Sequence, residues 1–298
     1  MKIFTIIVTY NGMKWLKRCL DSLRSSTMPT IPVVIDNNST DGSVSFVKEN
    51  YPEAIVFQQD KNLGFGQANN VGIRYAMDNG ADFVMLLNQD ASIKADAIQL
   101  LVNASDGLSM LSPMQLNGDG SRLDKHFKKS LLDSDNGWVD DVAVSKCKAR
   151  YKTNEVCAAC WFMPRALIEK IGGFNPLFFH YGEDNNFLQR LDYHNISTFV
   201  IPHAFMCHDR ENVFGNKKAF YRKWVYRNMI SIATDINLSF LARLKSNLLL
   251  VKNLYFAKMS RGHYIPGMFL INQIKILLLT EKIRYSRKQE IQTKQNWL

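Results

Sequence analysis

Residues 6–11 read IIVTYN, and residues 33–43 read VVIDNNSTDGS. In each stretch a run of apolar residues stops abruptly at polar side chains. Strands buried in a parallel sheet carry such apolar runs, and open α/β folds bind ligands at the carboxyl edge of that sheet. Since one strand–helix–strand unit separates the two stretches, their polar ends can hold one nucleotide between them. The sequence therefore predicts an α/β fold and, as a first hypothesis, a nucleotide-dependent enzyme.

The spacing of apolar residues predicts alternating strands and helices that build one sheet flanked by helices. Residues 103–155 are polar, and we expect them to form a loop-rich region that faces the substrate. The predicted strands are 3–9, 32–36, 54–58, 83–87, 156–164 and 197–202, and the predicted helices are 14–25, 43–50, 67–79, 91–101, 165–171 and 184–191.

Charge divides the 298-residue chain into two parts. Residues 210–298 hold 17 Lys and Arg but only 4 Asp and Glu, whereas residues 1–209 hold 20 and 23. The basic part also shows helical patterns and few strand patterns. We therefore predict a ligand-binding domain over residues 1–210 and a helical, basic C-terminal region over residues 211–298 that packs on it. Basic charge concentrated on one segment favours an anionic partner, either lipid headgroups or nucleic acid.

The longest apolar stretch, residues 264–280, is interrupted by polar residues and is shorter than the roughly 20 residues that span a bilayer. It is either a helix packed on the main domain or an amphipathic element lying on a membrane. No signal-peptide pattern precedes the first strand, and the five cysteines form no disulfide framework, so we expect a cytoplasmic protein. The lone pair Cys157 and Cys160 supplies too few ligands for structural zinc.

Asp36 lies at the tip of the second strand. Its carboxylate can accept the N3–H of a pyrimidine, or it can cap the turn formed by Asn37 and Asn38. The polar end of the neighbouring strand, residues 9–11, favours the ligand, because these side chains can hold the same base or its ribose.

Residues 62–70 read NLGFGQANN, which only partly resembles a dinucleotide fingerprint, because that motif needs a third small residue where Asn69 stands. The two glycines instead predict a close approach of the backbone to a nucleotide. Asn69 or Asn70 can hydrogen-bond the nucleotide or lock the loop.

Asp90 follows the strand at residues 83–87 and is therefore expected at the same sheet edge as Asp36. A hard divalent cation held by one carboxylate, one imidazole and a diphosphate is one interpretation. His208, which follows the strand at residues 197–202, is the candidate imidazole. A cap at the end of a strand is the alternative for Asp90, and a structural role is the alternative for His208.

Glu183 and Asp184 stand side by side at the start of a predicted helix, among aromatic residues. Helix N-termini favour acids, which is the structural interpretation. The functional interpretation is a general base, because an apolar surrounding raises the pKa of a carboxyl group towards useful basicity.

Together these blocks resemble the family-2 inverting glycosyltransferases with a GT-A fold, and within them the rhamnosyltransferase-like branch. The resemblance covers residues 3–210 and implies a single Rossmann-like, mostly parallel sheet. The matching blocks are IVTYN at residues 7–11, DNNSTDG at 36–42, NLGFG with Asn69 and Asn70 at 62–70, LLNQD at 86–90, and GGF at 172–174 leading to Glu183 and Asp184.

The resemblance implies a role for each matching position. Asp184 would be the catalytic base, Glu183 and Trp161 would bind the acceptor, and Asp90 with His208 would hold Mg²⁺ or Mn²⁺ against the diphosphate. Asn88 replaces the first acid of the family's metal motif, which leaves one carboxylate for the metal. The implied nucleotide-binding residues are Thr9, Tyr10, Asn11, Asp36, Asn38, Asn62, Gly64, Phe65, Asn69 and Asn88.

The implied reaction moves a sugar, with rhamnose among the candidates, from a dTDP- or UDP-sugar to a hydroxyl of a glycan or polyprenyl-diphosphate-linked acceptor. Such an enzyme would work at the inner face of the cell membrane, peripherally attached to an anionic surface. A non-catalytic nucleotide-sugar-binding protein is the alternative. The stretch at residues 221–227 is aromatic and basic enough to stack bases, but no recognised nucleic-acid motif is present, so nucleic acid is not an expected partner.

Overall fold

The computed structural model describes residues 1–134, 136–210, 217–259, 268–294 and 296–298. Within them the chain forms one nine-stranded sheet with helices on both faces. The strands are β1 (Ile3–Thr9), β2 (Ile31–Asp36), β3 (Ile55–Gln58), β4 (Phe83–Leu87), β5 (Ala91–Ile93), β6 (Met110–Asn117), β7 (Tyr151–Lys152), β8 (Cys160–Pro164) and β9 (Thr198–His208). The helices are α1 (Met13–Arg24), α2 (Ser43–Asn50), α3 (Phe65–Asp78), α4 (Ala97–Ala104), α5 (Lys125–Asp133), α6 (Trp138–Ala143), α7 (Arg165–Ile171), α8 (Glu183–Tyr193), α9 (Lys217–Thr234), α10 (Phe240–Met259), α11 (Met268–Leu278) and α12 (Thr280–Glu290).

One half of the sheet is parallel. Strands β3, β2, β1 and β4 lie side by side in this order, and the register of β1 and β2 puts Thr9 beside Asp36 at the carboxyl edge. Helix α3 packs directly on β1 at Gly72, where an added Cβ would collide with Ile6. The predicted α/β fold, with a central, mostly parallel sheet flanked by helices, is confirmed.

The other half of the sheet begins with a strand of opposite direction. Strand β8 runs antiparallel to β4 and to β6, and the order then continues through β9 to β5. Strands β6 and β9 are parallel, with an irregularity between Pro113 and Met114. Short β5 pairs antiparallel with the end of β9, which brings Ala91 opposite His208.

Two sequence predictions were wrong in this half. Residues 103–155 were expected to be loop-rich, yet β6 crosses the core, with residues 110–115 buried. Its polar residues Ser112 and Gln115 are buried, and Pro113 lies at the irregularity, so the apolar pattern of a strand is masked. The predicted helix at residues 91–101 begins with β5 instead, because a three-residue strand is too short to show a period.

Each face of the sheet has its own apolar cluster. Strand β8 is buried on both faces, so Trp161 and Met163 face one cluster while Cys160 and Phe162 face the other. A strand buried in this way reads as a continuous apolar run.

The C-terminal helices contact the sheet domain through α9, which packs against α8 and against α10, α11 and α12. The end of the chain also returns to the domain, since the Gly173 N–H donates to the Asn296 carbonyl at 2.8 Å. Buried Glu290 accepts hydrogen bonds from the amides of Asn175 at 2.7 Å and Asn186 at 2.8 Å. The domain boundary near residue 210 stays a prediction. Every helix among the described residues is too short or too polar to span a bilayer.

Candidate active site

Three parallel strands end at one corner of the sheet. The Thr9 hydroxyl donates to Oε1 of Gln89 at 2.8 Å, and the Tyr10 N–H donates to the same oxygen at 3.0 Å. Gln89 follows β4, so it ties the end of that strand to the end of β1, with Asp36 on the other side of Thr9. Thr9 is buried, whereas Tyr10 is 50% exposed. The strand-end residues therefore meet as predicted from their positions, and Gln89, which had no predicted role, joins them.

Both interpretations of Asp36 have support in its hydrogen bonding. Its Oδ2 accepts the Ser39 N–H at 3.1 Å, which is the turn-capping role. Its Oδ1 is buried and has no hydrogen-bond partner among the described residues. Because a buried carboxylate oxygen without a partner is costly, this atom fits a donor group supplied by a ligand.

Two asparagines shape the turn beside Asp36. Asn11 and Asn38 have positive φ angles of 48° and 69°, a region in which asparagine is enriched. The Asn11 N–H donates to the Ser39 hydroxyl at 2.9 Å, and Asn11 Oδ1 accepts the Thr40 N–H at 2.9 Å. The Asn11 amide oxygen is thus engaged in the turn, while Asn38 is exposed.

The loop before α3 is held by asparagine side chains. Asn37 accepts the Leu63 N–H at 2.8 Å, and Asn62 accepts the Gly64 N–H at 2.8 Å. Asn69 donates to the Phe65 carbonyl within α3 at 3.0 Å. These bonds order the loop beside the tip of β2.

Asn70 and the glycines connect this loop to the acid pair. The Asn70 side chain makes two hydrogen bonds to the backbone of Phe174, at 2.7 and 2.8 Å. The Phe65 N–H donates to the Phe179 carbonyl at 3.2 Å, and an added Cβ on Gly64, whose φ is +79°, would collide with that carbonyl. The close approach predicted for the glycines is therefore made to the segment preceding Glu183, and Asn70 is the residue that locks it.

Asp90 and His208 meet at the sheet edge. Their Oδ1 and Nε2 atoms lie 3.3 Å apart, because β5 pairs with the end of β9. His208 is buried, and within the described structure its Nδ1 has no hydrogen-bond partner. One carboxylate and one imidazole suit Mn²⁺ better than Mg²⁺, which prefers oxygen ligands.

The protein contributes few ligands to such a cation. No cluster of three or more His, Cys, Asp or Glu side chains able to hold a metal occurs in the described parts of the chain. Asn88 Oδ1 is buried and unpaired with any described residue, while its backbone N–H donates to the Ala159 carbonyl at 3.0 Å. The donor set of Asp90 and His208 fits a divalent cation whose remaining ligands come from the substrate.

Arg210 follows His208 by two residues and is held by Asp124. Its guanidinium donates to Oδ2 of Asp124 at 2.9 Å, and Asp124 also accepts the N–H groups that open α5. Burial raises the pKa of Asp184, and the positive charge of Arg210 opposes this rise. No role was predicted for Arg210 from the sequence, although a basic residue directly after a metal candidate and an acid was an available signal.

The acid pair at the start of α8 lies in two different environments. Glu183 is 4% exposed, and its Oε2 has no partner among the residues described. Burial, aided by the neighbouring Asp184 carboxylate, raises the pKa of Glu183 to about 8. Asp184 is half-buried, and burial raises its pKa against the hydrogen bond from the Asn185 N–H at 2.9 Å.

A small cavity opens beside Asp184. Its volume is about 170 Å³, and its walls come from the start of α8 and from α9. The Arg227 guanidinium stacks over the Tyr181 ring at 4.2 Å. A larger cavity of about 480 Å³ lies between residues 175–177 and α12, away from Asp184. The smaller cavity is lined by Tyr181, Gly182, Asp184, Asn185, Trp224, Arg227 and Asn228.

The contribution of α9 was missed by sequence analysis, which considered residues 221–227 only as a base-stacking stretch. Trp224, Arg227 and Asn228 recur on one face of α9 at helical spacing, a pattern that could have indicated a functional face.

Trp161 does not line the cavity. Its side chain is fully buried, stacks on Phe174 at 5.8 Å, and donates its Nε1–H to the Val156 carbonyl at 3.3 Å. The prediction that Trp161 contacts an acceptor was therefore wrong, because β8 is buried on both faces. Trp161 instead supports the GGF segment that leads to Glu183.

Comparison with known proteins identifies the family. Residues 5–207 match the family model for glycosyl transferase family 2. The chain belongs to this family. An N-acetylglucosaminyl-diphospho-decaprenol L-rhamnosyltransferase of Mycobacterium tuberculosis (strain CDC 1551 / Oshkosh) is 25% identical over 239 residues, covering 72% of this chain and 78% of that protein. The dTDP-rhamnosyl transferase RfbF of Shigella flexneri is 24% identical over 210 residues, covering 69% and 68%.

Solved structures show the same GT-A fold. S. aureus TarS 1-349 in complex with UDP has a TM-score of 0.57 at 16% identity, covering 98% of this chain and 88% of that chain. The mannosyltransferase PcManGT of Pyrobaculum calidifontis, in complex with GDP-Man and Mn²⁺, has a TM-score of 0.56 at 20% identity, covering 97% and 84%. The family-2 chain is a glycosyltransferase with rhamnosyltransferases among its relatives.

Proposed function

We propose that this glycosyltransferase moves a deoxyhexosyl or hexosyl group from a nucleotide diphosphate to an acceptor hydroxyl, with inversion at the anomeric carbon. One observation carries the proposal. Asp184, whose pKa is raised by burial, lines a cavity, and the same sheet domain carries the Asp90–His208 pair. A base beside an open cavity and a diphosphate site is what direct displacement requires.

The donor is proposed to be a dTDP- or UDP-sugar, with rhamnose as the first sugar to test. Support comes from the relative named as a dTDP-rhamnosyl transferase and from neighbours solved with UDP and UDP-GlcNAc. The unpaired Oδ1 of Asp36 would accept the N3–H of the pyrimidine. The other proposed donor contacts are the strand-end and loop residues Thr9, Tyr10, Asn11, Asn38, Asn62, Gly64, Phe65, Asn69 and Asn88.

Asp90 and His208 would hold Mn²⁺ or Mg²⁺ in the donor complex. When bound, the cation would neutralise charge on the leaving diphosphate. Arg210, held by Asp124, adds a fixed positive charge on the same side of the site. The chain's own residues thus place positive charge where negative charge develops during the reaction.

Asp184 would accept the proton of the acceptor hydroxyl as its oxygen attacks the anomeric carbon. The C–O bond to the diphosphate breaks as the new glycosidic bond forms, so the nucleotide diphosphate leaves on the opposite face. Glu183, buried and with its pKa raised to about 8, does not line the cavity, so we propose that it orients the acceptor through the neighbouring Asp184.

The acceptor is proposed to be a glycan or a polyprenyl-diphosphate-linked sugar, in the synthesis of cell-surface polysaccharide. The relative named as acting on N-acetylglucosaminyl-diphospho-decaprenol supports a lipid-linked acceptor. Trp224 offers a face for a sugar ring, and Arg227 offers a cation for an anionic group. We place the enzyme at the cytoplasmic face of the cell membrane, peripherally bound to its anionic surface.

Replacing Asp184 tests the reaction. With a panel of nucleotide sugars and a lipid-linked acceptor, Asp184→Asn should lower kcat about 100-fold or more because the base is lost. The control is Asp192→Asn, an exposed acid on the same helix. Donor binding should survive in both variants. Turnover near wild type in Asp184→Asn would reject the assigned base.

The same assay tests the alternative, a nucleotide-sugar-binding protein without catalytic activity. The amide at Asn88, in place of an acid, is the observation that favours this alternative. It would be supported by tight donor binding with no transfer to any acceptor in the panel.

A further inference from the structure

Helix α10 turns apolar side chains towards solvent. The side chains of Phe240, Leu241, Leu244, Leu248 and Leu249 are between 51% and 73% exposed. Residues 241, 244 and 248 follow the spacing that forms one stripe on a helix. In a helix of a globular protein such a stripe normally faces the core, and here it faces outwards.

Helix α11 repeats this arrangement. The side chains of Leu270, Ile271, Ile274, Leu277 and Leu278 are between 49% and 80% exposed. Residues 270, 274 and 277, and 271, 274 and 278, follow the same helical spacing. We call the two sets together the outer apolar face, and exposed apolar side chains grouped in this way mark an interaction site.

The opposite side of α11 is packed, so the exposure is not that of a detached helix. Asn272 is 1% exposed, and the Lys275 ammonium lies 5.7 Å from the centre of the Tyr226 ring on α9. Helix α10 contacts α9 as well. The outer apolar face is therefore the free side of a helical layer anchored on α9.

Positive charge surrounds this face. Lys245 and Lys252 on α10 are exposed. The adjoining α12 adds exposed Lys282 and Lys288. Apolar side chains flanked by lysines and arginines match the boundary between acyl chains and anionic headgroups of a bilayer.

We propose that the outer apolar face of α10 and α11 inserts into one leaflet of an anionic bilayer, with both helices lying in the plane of the membrane. The flanking lysines would contact lipid phosphates.

The geometry gives this surface a role in catalysis, and only that role rests on the proposed function. Helix α9 contacts α10 and α11 and also lines the cavity at Asp184. Helix α9 thus connects the membrane-facing helices with the cavity. A lipid-linked acceptor would be presented to Asp184 while its lipid stays in the bilayer.

Vesicle co-sedimentation with the full chain tests the surface. The probe is a phosphatidylcholine vesicle with about 30% phosphatidylglycerol, compared with phosphatidylcholine alone. Wild type should bind the anionic vesicle, and the triple variant Leu241→Gln, Leu248→Gln, Leu277→Gln should bind at least about tenfold more weakly. These side chains are exposed, so the variant should keep the fold, which circular dichroism checks.

Two further variants separate apolar insertion from charge. The matched control Leu132→Gln, Val139→Gln removes exposed apolar side chains from α5 and α6 and should bind like wild type. The variant Lys245→Gln, Lys252→Gln should lose binding by several-fold at low salt only, because salt screens the lysines of wild type.

Three results would overturn the proposal. The first is that the wild-type protein does not bind anionic vesicles, and the second is that the triple variant binds them as tightly as wild type. The third is that sedimentation velocity shows a dimer of the wild-type protein that the triple substitution abolishes, while vesicle binding is unchanged. Because vesicle binding needs no turnover, a protein that binds vesicles but transfers no sugar would refute the proposed function and leave this surface standing.

Discussion

The strand-end side and the α8 side of the site hold their polar groups in different ways. At the strand ends, Thr9, Asn11 and Asn37 are tied into turns by hydrogen bonds of 2.7–3.0 Å to neighbouring loops. At α8, Glu183 and Asp184 have raised pKa values because burial removes them from water. The first side is thus preorganised by hydrogen bonds, and the second has its acidity adjusted by desolvation.

This difference fits the two proposed roles, nucleotide binding at the strand ends and proton transfer at α8. A nucleotide presents a fixed set of donors and acceptors, which rigid turns can match at little entropic cost. A proton acceptor needs a pKa near the working pH, and burial achieves this. The two sides meet where Phe65 donates to Phe179 and where Arg210 reaches towards Asp184.

The strand-end side is tested first by a substitution at Asp90. Asp90→Asn should lower kcat/KM about 100-fold in Mn²⁺, because His208 would be left as the only protein ligand that we assign. Donor turnover over a MnCl₂ titration measures this. Asp96→Asn is the control, since that exposed acid makes no capping bond to α4. If Asp90→Asn and wild type depended equally on Mn²⁺, Asp90 would not be a ligand of the cation.

The junction between the two sides is tested next by Gly64→Ala. An added Cβ would meet the Phe179 carbonyl at a residue whose φ is +79°, so the free energy of unfolding should fall by about 1–3 kcal/mol. Urea denaturation measures this loss.

Gly107→Ala is the control that measures the strain of a positive φ without any collision. Gly107 has a φ of +81° and nothing within 4 Å of an added Cβ, so this variant should lose about 1 kcal/mol. Equal losses in both variants would show that the contact with Phe179 does not matter.

The desolvated side predicts a pH dependence of stability. The pKa of Glu183 is raised from 4.5 to about 8 in the folded protein, so the unfolded chain loses this proton first as pH rises. Stability contributed by protonated Glu183 is complete below pH 4.5 and is lost as pH rises through about 8.

Glu183→Gln removes that titration. Relative to wild type, its free energy of unfolding should increase by about 4 kcal/mol between pH 5 and pH 8.5, measured by urea denaturation at both values. An unchanged difference between the two proteins at the two pH values would contradict the raised pKa.

The smallest expected effect separates acceptor from donor binding. Arg227→Gln should raise the KM of a diphosphate-linked acceptor about tenfold while leaving donor KM unchanged, because Arg227 lines the cavity at Asp184. Arg122→Gln, an exposed arginine elsewhere, is the control. A larger change in donor KM than in acceptor KM would show that Arg227 contributes to donor binding instead.

Local sequence patterns were enough to predict the parallel half of the sheet and its strand-end residues. Continuous apolar runs that end in polar residues are local features, so residues 6–11, 33–36 and 83–90 predicted both the strands and the edge at which they meet. The pair Asp90 and His208 was predicted from strand ends in the same way, and β5 brings them to 3.3 Å.

Which polar residues are buried, and which distant segments share the site, depends on how the elements pack in three dimensions. Strand β6 was hidden because Ser112 and Gln115 are buried in the core, and Trp161 was assigned to the acceptor although β8 is covered on both faces. Arg210 and the residues of α9 reach Asp184 through packing between segments far apart in the chain. Local periodicity records which side of an element is apolar, but it does not record which element will cover that side.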